Sequence, residues 1–189
     1  DICIRDSLTV RVTRMTGCQT LTYLKTPLGL ANEVSNLDPT PLHAFGHGHS
    51  YTTFAWEDFR GTDAEIATDG SYDLSLTVRN TGDRDGTEVV QLYLHDPVAS
   101  VTRPDVRLIG YRRLRLAPGE ARRVTFGFHT DLSAFTGRSG ERVVEPGTLE
   151  LRLGASSAET RHTARLSLTG PRRVVGPDRR LRCEVSTDG

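Results

Sequence analysis

The feature that most constrains this chain is a series of short segments in which apolar and polar residues alternate, each closed by turn-forming residues. In the stretch from Tyr72 to Val78, the residues Tyr72, Leu74, Leu76 and Val78 are apolar, whereas Asp73, Ser75 and Thr77 are polar. A period of two places one set on each face of a strand, so this segment predicts a half-buried β-strand. The same alternation recurs through Val124, Phe126 and Phe128, through Leu149, Leu151 and Leu153, and through Ala164, Leu166 and Leu168. Residues 88–95 (EVVQLYLH) are apolar on both faces in the middle, which predicts a strand buried on both sides. A further strand is expected over 112–116. Between these segments lie the clusters Asn80-Thr-Gly-Asp-Arg-Asp-Gly86, Ala117-Pro-Gly119 and Glu145-Pro-Gly147, whose residue types favour turns. The chain has 18 Gly and 9 Pro, as a fold of short strands and many turns requires. No helical period interrupts the pattern. About seven short antiparallel strands predict an all-β sandwich, two sheets burying their apolar faces against each other.

The patterning divides the chain into three parts. Residues 1–50 are irregular and are read as the end of a preceding α/β domain plus a linker. Within them Leu8, Val10 and Val12 alternate, and the prolines at 39 and 41 exclude a helix across residues 36–41. Residues 51–170 form the sandwich. Residues 171–189 are a C-terminal tail, either solvated or a final edge segment. Its Arg172, Arg173, Arg179, Arg180 and Arg182 are interrupted by acidic residues and carry no interleaved aromatics, unlike a nucleic-acid-binding stripe.

Lys plus Arg and Asp plus Glu balance at 24 each, so no overall field steers the chain towards nucleic acid or an anionic membrane. No apolar run reaches the ~20 residues of a membrane span. The chain starts without Met, and its first residues lack a signal-peptide pattern. It therefore reads as a piece of a longer or processed protein, with no compartment assigned. Cys3, Cys18 and Cys183 are odd in number and widely spaced. They are expected as free thiols, which fit a cytoplasmic setting better than an oxidising one.

Several motifs then follow one another in order. Residues 39–54, including Phe45-Gly-His-Gly48 and Ser50-Tyr-Thr-Thr-Phe54, resemble the segment that enters the last domain of family 3 glycoside hydrolases. Val78-Arg-Asn-Thr-Gly82, Gly86-Thr-Glu-Val-Val-Gln-Leu-Tyr93, Ser100-Val-Thr-Arg-Pro104, Leu108-Ile-Gly-Tyr111, Leu116-Ala-Pro-Gly-Glu120 and Val144-Glu-Pro-Gly147 continue the resemblance, with Gly154-Ala-Ser-Ser157 after them. Phe135-Thr-Gly137 and the SVTRP loop point towards the bacterial β-xylosidase-like members. Upstream, Val10, Val12, Arg14, Gly17, Gln19 and Tyr23 fit the segment that closes the preceding domain, although Thr9, Thr13, Thr16 and Thr20 stand where prolines are usual. This chain also has His49 where the family has Leu, and Ala44 where it has Pro.

The resemblance implies a fibronectin type III-like C-terminal β-sandwich of a β-glucosidase or β-xylosidase. Its expected partners are that enzyme's catalytic domains, in cis or, if the enzyme is split, in trans. It implies a retaining mechanism whose nucleophilic Asp and acid/base Glu sit in upstream domains, so neither is carried onto a position here. The expected function is non-catalytic and structural. A free-standing module that binds polysaccharide is the alternative, and so is the C-terminal piece of a split glycosidase.

The residues themselves support no catalytic, cofactor-binding or metal assignment, and no cofactor is expected. Glycoside hydrolysis needs two carboxyl groups flanking the bond, about 5–5.5 Å apart for retention, but Asp38, Glu57, Asp58 and Glu145 are scattered through loops and turns. His43 and His47 have a spacing found in metal sites, but that spacing is expected to pair imidazoles only on a helix. Pro41, Gly46 and Gly48 exclude one, so His43, His47 and His49 are read as incidental loop residues. Gly46-His-Gly48 lacks the Lys and following helix of a phosphate cradle. Ser50, Ser100 and Ser133 lack a nucleophile context. Tyr51, Phe54, Trp56 and Phe59 are the only aromatic cluster, expected to face the core or a neighbouring domain rather than a sugar.

Overall fold

The computed structural model describes Val10–Arg11, Thr20–Leu21, Tyr23–Leu24 and residues 43–188. Two short strands, β1 (Val10–Arg11) and β2 (Thr20–Leu21), pair antiparallel. The sandwich then runs through β3 (Phe54–Arg60), β4 (Ala64–Ala67), β5 (Ser71–Asn80), β6 (Gly86–His95), β7 (Arg107–Leu116) and β8 (Ala121–His129). After a 3-10 turn (Thr130–Ser133) come β9 (Phe135–Thr136), β10 (Arg142–Val144), β11 (Gly147–Gly154), β12 (Thr160–Thr169), β13 (Arg173–Val174) and β14 (Glu184–Thr187).

Two sheets form the sandwich. One has five strands in the order β4-β12-β11-β6-β7 and the other four in the order β14-β8-β5-β3. A small sheet β13-β10-β9 lies beside them. The expected all-β sandwich is the observed fold, and each sandwich strand read from the sequence lies within an observed one; of the alternating Leu8, Val10 and Val12, only Val10 is among the described residues, in β1. The detail differs in two respects. The pairing of β4 with β12 is parallel, because the chain leaves the four-stranded sheet after β3 and enters the other sheet at its edge. The last nineteen residues also contribute two strands: β13 pairs with β10, and β14 is an edge strand against β8.

The core is the meeting of the alternating faces. Leu74, Leu76 and Val78 of β5 and Val124, Phe126 and Phe128 of β8 come from one sheet. Val90, Leu92 and Leu94 of β6, Leu149, Leu151 and Leu153 of β11, and Leu166 and Leu168 of β12 come from the other. Register aligns these sets: Leu74 is opposite Phe126 and Leu76 opposite Val124, while Leu151 is opposite Leu94 and Leu153 opposite Leu92. Because side chains repeat every second residue, one register brings every apolar residue of a strand inward together. Each fully buried side chain of this size contributes about 1.5–3 kcal/mol.

The one interruption of β3 explains its weak signature. Asp58 has φ 49°, and the register slips between Glu57 and Arg60. This is a bulge in an edge strand. It turns Phe59 onto His162 of β12, with ring centroids 4.5 Å apart and nearly parallel. An aromatic contact thus closes one side of the sandwich.

Cys183 lies just before β14, where its thiol donates to the Gly127 carbonyl at 3.4 Å. Burial, with Glu184 and Asp73 nearby, pushes its pKa up to about 11. Since the thiolate is the nucleophile, Cys183 should react with iodoacetamide at pH 8 on the order of 100-fold more slowly in the folded chain than in urea. Peptide mapping by mass spectrometry reads this directly. Equal labelling in both states would contradict the buried position. Cys3 and Cys18 lie outside the described residues.

Candidate functional site

The outer face of β6 shows why that strand is apolar on both sides. Gln91 and Tyr93 point away from the core, yet both are buried. The Tyr93 hydroxyl donates to Gln91 Oε1 at 2.6 Å. Gln91 Nε2 donates to the carbonyls of Gly46 at 3.0 Å and Ala155 at 2.6 Å. Burial raises the Tyr93 phenol well above its ordinary value, and Tyr23 adds to the effect. Tyr23 meets Tyr93 edge-on at 6.3 Å and stacks on Phe45 at 4.1 Å. The Phe45 carbonyl accepts from the Ser157 amide at 2.9 Å. The segment preceding the sandwich is therefore docked on its outer surface through residues 23, 45 and 46.

That docking shapes the loop at 43–50. The His47 amide donates to the Ala44 carbonyl at 3.0 Å, which closes a tight turn. Gly46 sits at φ 81°, a backbone state that disfavours side chains. A Cβ placed there would also collide with the Gln91 side chain. The turn stacks His43 on His47, centroids 4.9 Å apart and 9° from parallel. His49 stands edge-on to both, at 6.0 Å from His43 and 4.8 Å from His47. The Nε2 atoms of His47 and His49 are 3.4 Å apart. The expectation that only a helix could pair these imidazoles is corrected: a glycine-bearing turn reverses the chain within the same spacing.

The other residues weighed from the sequence are engaged in holding the fold. Glu57 pairs with Arg79 at 3.4 Å and Asp58 with Arg123 at 3.9 Å. Glu145 accepts from both the amide and the hydroxyl of Ser100, at 3.1 and 2.7 Å. Ser133 donates to the Thr130 carbonyl at 2.7 Å, and Ser50 accepts from the Thr52 amide at 3.3 Å. Asp38 lies outside the described residues. Phe54, Trp56 and Phe59 pack against the core. The Trp56 ring is capped by the Arg161 guanidinium at 4.4 Å. Tyr51 is the exception, 96% exposed.

Contacts that sequence reasoning did not anticipate tie the motif loops together. Arg103 of the SVTRP segment bonds Asp96 at 3.1 Å and the Ser133 carbonyl at 2.8 Å, and lies over the Phe135 ring at 4.6 Å. Burial raises the Asp96 carboxyl, although Arg103 opposes the shift. Asp131 accepts from Arg173 at 2.5 Å and from the Arg180 amide at 2.9 Å. Burial alone would raise its pKa, but these bonds and His129 hold it below the usual value. Asp131 thereby fastens the C-terminal segment to the 3-10 turn. Only the motif order hinted at these loops, and their partners come from distant positions.

Residues 88–157 match the model of the fibronectin type III-like domain family. The chain is 39% identical over 153 residues to a β-xylosidase of Formosa agariphila, covering 79% of this chain and 21% of that enzyme. In structure it resembles a β-glucosidase of Erythrobacter marinus, with TM-score 0.69, 35% identity, and coverage of 78% and 20% respectively. It also resembles a GH3 β-glucosidase of Bifidobacterium adolescentis, with TM-score 0.61, 31% identity, and coverage of 67% and 18%. Residues 88–157 carry a fibronectin type III-like domain, and the chain's relatives are β-xylosidases and β-glucosidases that it matches over part of their length. The fibronectin type III-like domain and its flanks span about a fifth of such relatives' length. Among the motifs that carry the resemblance, several fall on the β5–β6 turn, on β6 and its outer face, and on the loops held by Arg103 and Glu145.

Proposed function

We propose that this chain is the non-catalytic accessory domain of a family 3 β-glycosidase, inactive alone in the hydrolysis of O-glycosyl bonds. Residues 1–50 close the preceding domain and lead from it, and the sandwich packs against that enzyme's catalytic domains. The observation that carries this is the use made of the motif residues. Gln91, Arg103, Glu145 and Asn80 hydrogen-bond to the chain's own backbone or side chains. They brace strands and loops instead of converging on a substrate-sized cleft. Catalysis by a carboxyl pair would need two such groups presented to a sugar, whereas Glu57, Asp58 and Glu145 are each already paired or hydrogen-bonded.

The test is the size of the protein in its native source, by antibody against the sandwich and intact mass. A species several times larger than 20.8 kDa is expected, with glycosidase activity in the same fraction. The isolated chain should leave aryl β-glucosides and β-xylosides untouched. A native species of this chain's own mass would overturn the in-cis reading. Mixing with a separately made catalytic polypeptide would then show whether activity is restored in trans.

A further inference from the structure

We propose that His43, His47 and His49 bind one divalent transition-metal ion of the zinc class, leaving a coordination position open to solvent. Among the described residues these three form a group whose possible ligand atoms all lie within 4.8 Å of one another. Imidazole nitrogens bind zinc at about 2.0–2.1 Å in tetrahedral geometry, which places neighbouring ligand atoms about 3.3–3.4 Å apart. The Nε2 atoms of His47 and His49 are already at 3.4 Å, the edge of such a tetrahedron. His43 has to swing inward, and its exposed ring is free to turn about a soft side-chain torsion.

The backbone beneath the site is held from several sides. The Ala44–His47 turn is closed by its own hydrogen bond, and the Phe45 carbonyl is tied to Ser157. The Gly46 carbonyl is tied to Gln91, and the Phe45 ring is stacked on Tyr23. Little backbone entropy remains to be lost at Ala44–His47 when the ion binds, and preorganisation of this kind strengthens binding. Three neutral imidazoles suit zinc, copper or nickel and not magnesium or calcium, which take oxygen ligands. His43 and His49 are exposed, so the remaining position faces water. The ion would clip the entry loop on the outer face of β6, independently of any role in glycoside hydrolysis.

The tag-free chain, stripped with chelator, is titrated with Zn²⁺ by calorimetry at pH 7.5. One saturating equivalent is expected. His43→Ala, His47→Ala and His49→Ala should each weaken binding at least about tenfold, whereas His95→Gln should leave it unchanged. Co²⁺ added to the unmodified chain should give the visible absorption of tetrahedral cobalt bound to nitrogen, a readout that needs no variant to fold. Zn²⁺ should also raise the melting temperature of the unmodified chain, as any ligand selective for the folded state does. The absence of saturable binding below millimolar Zn²⁺, or equal binding by the triple-alanine variant, would overturn the assignment.

Discussion

Replacing Asn80 by aspartate is expected to destabilise the sandwich by about 3–5 kcal/mol at neutral pH, with a smaller loss in acid. Asn80 is fully buried at the end of β5 and uses its whole side chain. Its Oδ1 accepts from the Thr52 hydroxyl at 2.8 Å and from the Gly82 amide at 3.0 Å. Its Nδ2 donates to the carbonyls of Arg84 at 2.7 Å and Leu116 at 3.0 Å. One residue thus joins the loop before β3, the β5–β6 turn and the end of β7. Aspartate has the same shape but no donors when ionised, so a buried negative charge would face two carbonyl oxygens.

Burial without a cation would raise the folded-state pKa of that carboxyl above its unfolded value of about 3.9. The folded state then binds more protons than the unfolded one above that pH, and stability falls as pH rises. Urea denaturation of the Asp variant should therefore show a larger deficit against the parent at pH 7 than at pH 4. Asn80→Ala, which removes donors and acceptor together, should cost about 2–3 kcal/mol. Its deficit should not depend on pH in this way. A pH-independent deficit for the Asp variant would mean that water reaches the site.

Phe126→Ala should cost about 3–5 kcal/mol and lower the melting temperature on the order of 10 °C. Phe126 is fully buried in the middle of β8, opposite Leu74 on one neighbour and Val185 on the other. Truncation removes one of the two fully buried phenylalanine rings of the four-stranded sheet, the other being Phe128. The surrounding strands cannot collapse on the gap without breaking the register that aligns every other core residue. Phe126→Leu, which keeps most of the volume, should cost less than half as much. Tyr51→Ala, at a position almost wholly in solvent, should stay within about 0.5 kcal/mol. Urea denaturation with an unchanged m-value would check all three, and equal losses at 126 and 51 would contradict the core assignment.

Asn80 and Gln91 also bear on function. Asn80 belongs to the Val-Arg-Asn-Thr-Gly motif, and its role is to brace a turn. Gln91 belongs to the Glu-Val-Val-Gln-Leu-Tyr motif, and its role is to hold the incoming segment on β6. Motif residues that would look like candidate chemistry in an isolated sequence serve here as hydrogen-bond brackets. A domain built this way presents a firm outer surface on β6, which the proposed accessory role would use.

Strand content was legible because alternation is a local property: a strand sends successive side chains to opposite faces, so Leu74, Leu76 and Val78 announce their common face without any partner. Turn chemistry is equally local, and the residues between β5 and β6 declare the turn there. Edge strands β3 and β14 were harder to read. The bulge at Asp58 breaks the alternation of β3, and Glu184–Thr187 has too few apolar residues to show a face. The family resemblance in the motifs located the domain, but it did not say what each motif residue touches.

The sequence by itself determined the all-β class, the positions of the main strands and the apolar face of each. Only the tertiary structure decided the parallel entry of β4 beside β12, the burial of Gln91 and Tyr93 under the entering segment, and the convergence of three imidazoles. The physical reason is that periodicity is set by the backbone over a few residues. By contrast, the contacts among Tyr23, Phe45, Gln91 and Ser157 exist only once the sheets have closed and brought distant parts of the chain to one surface.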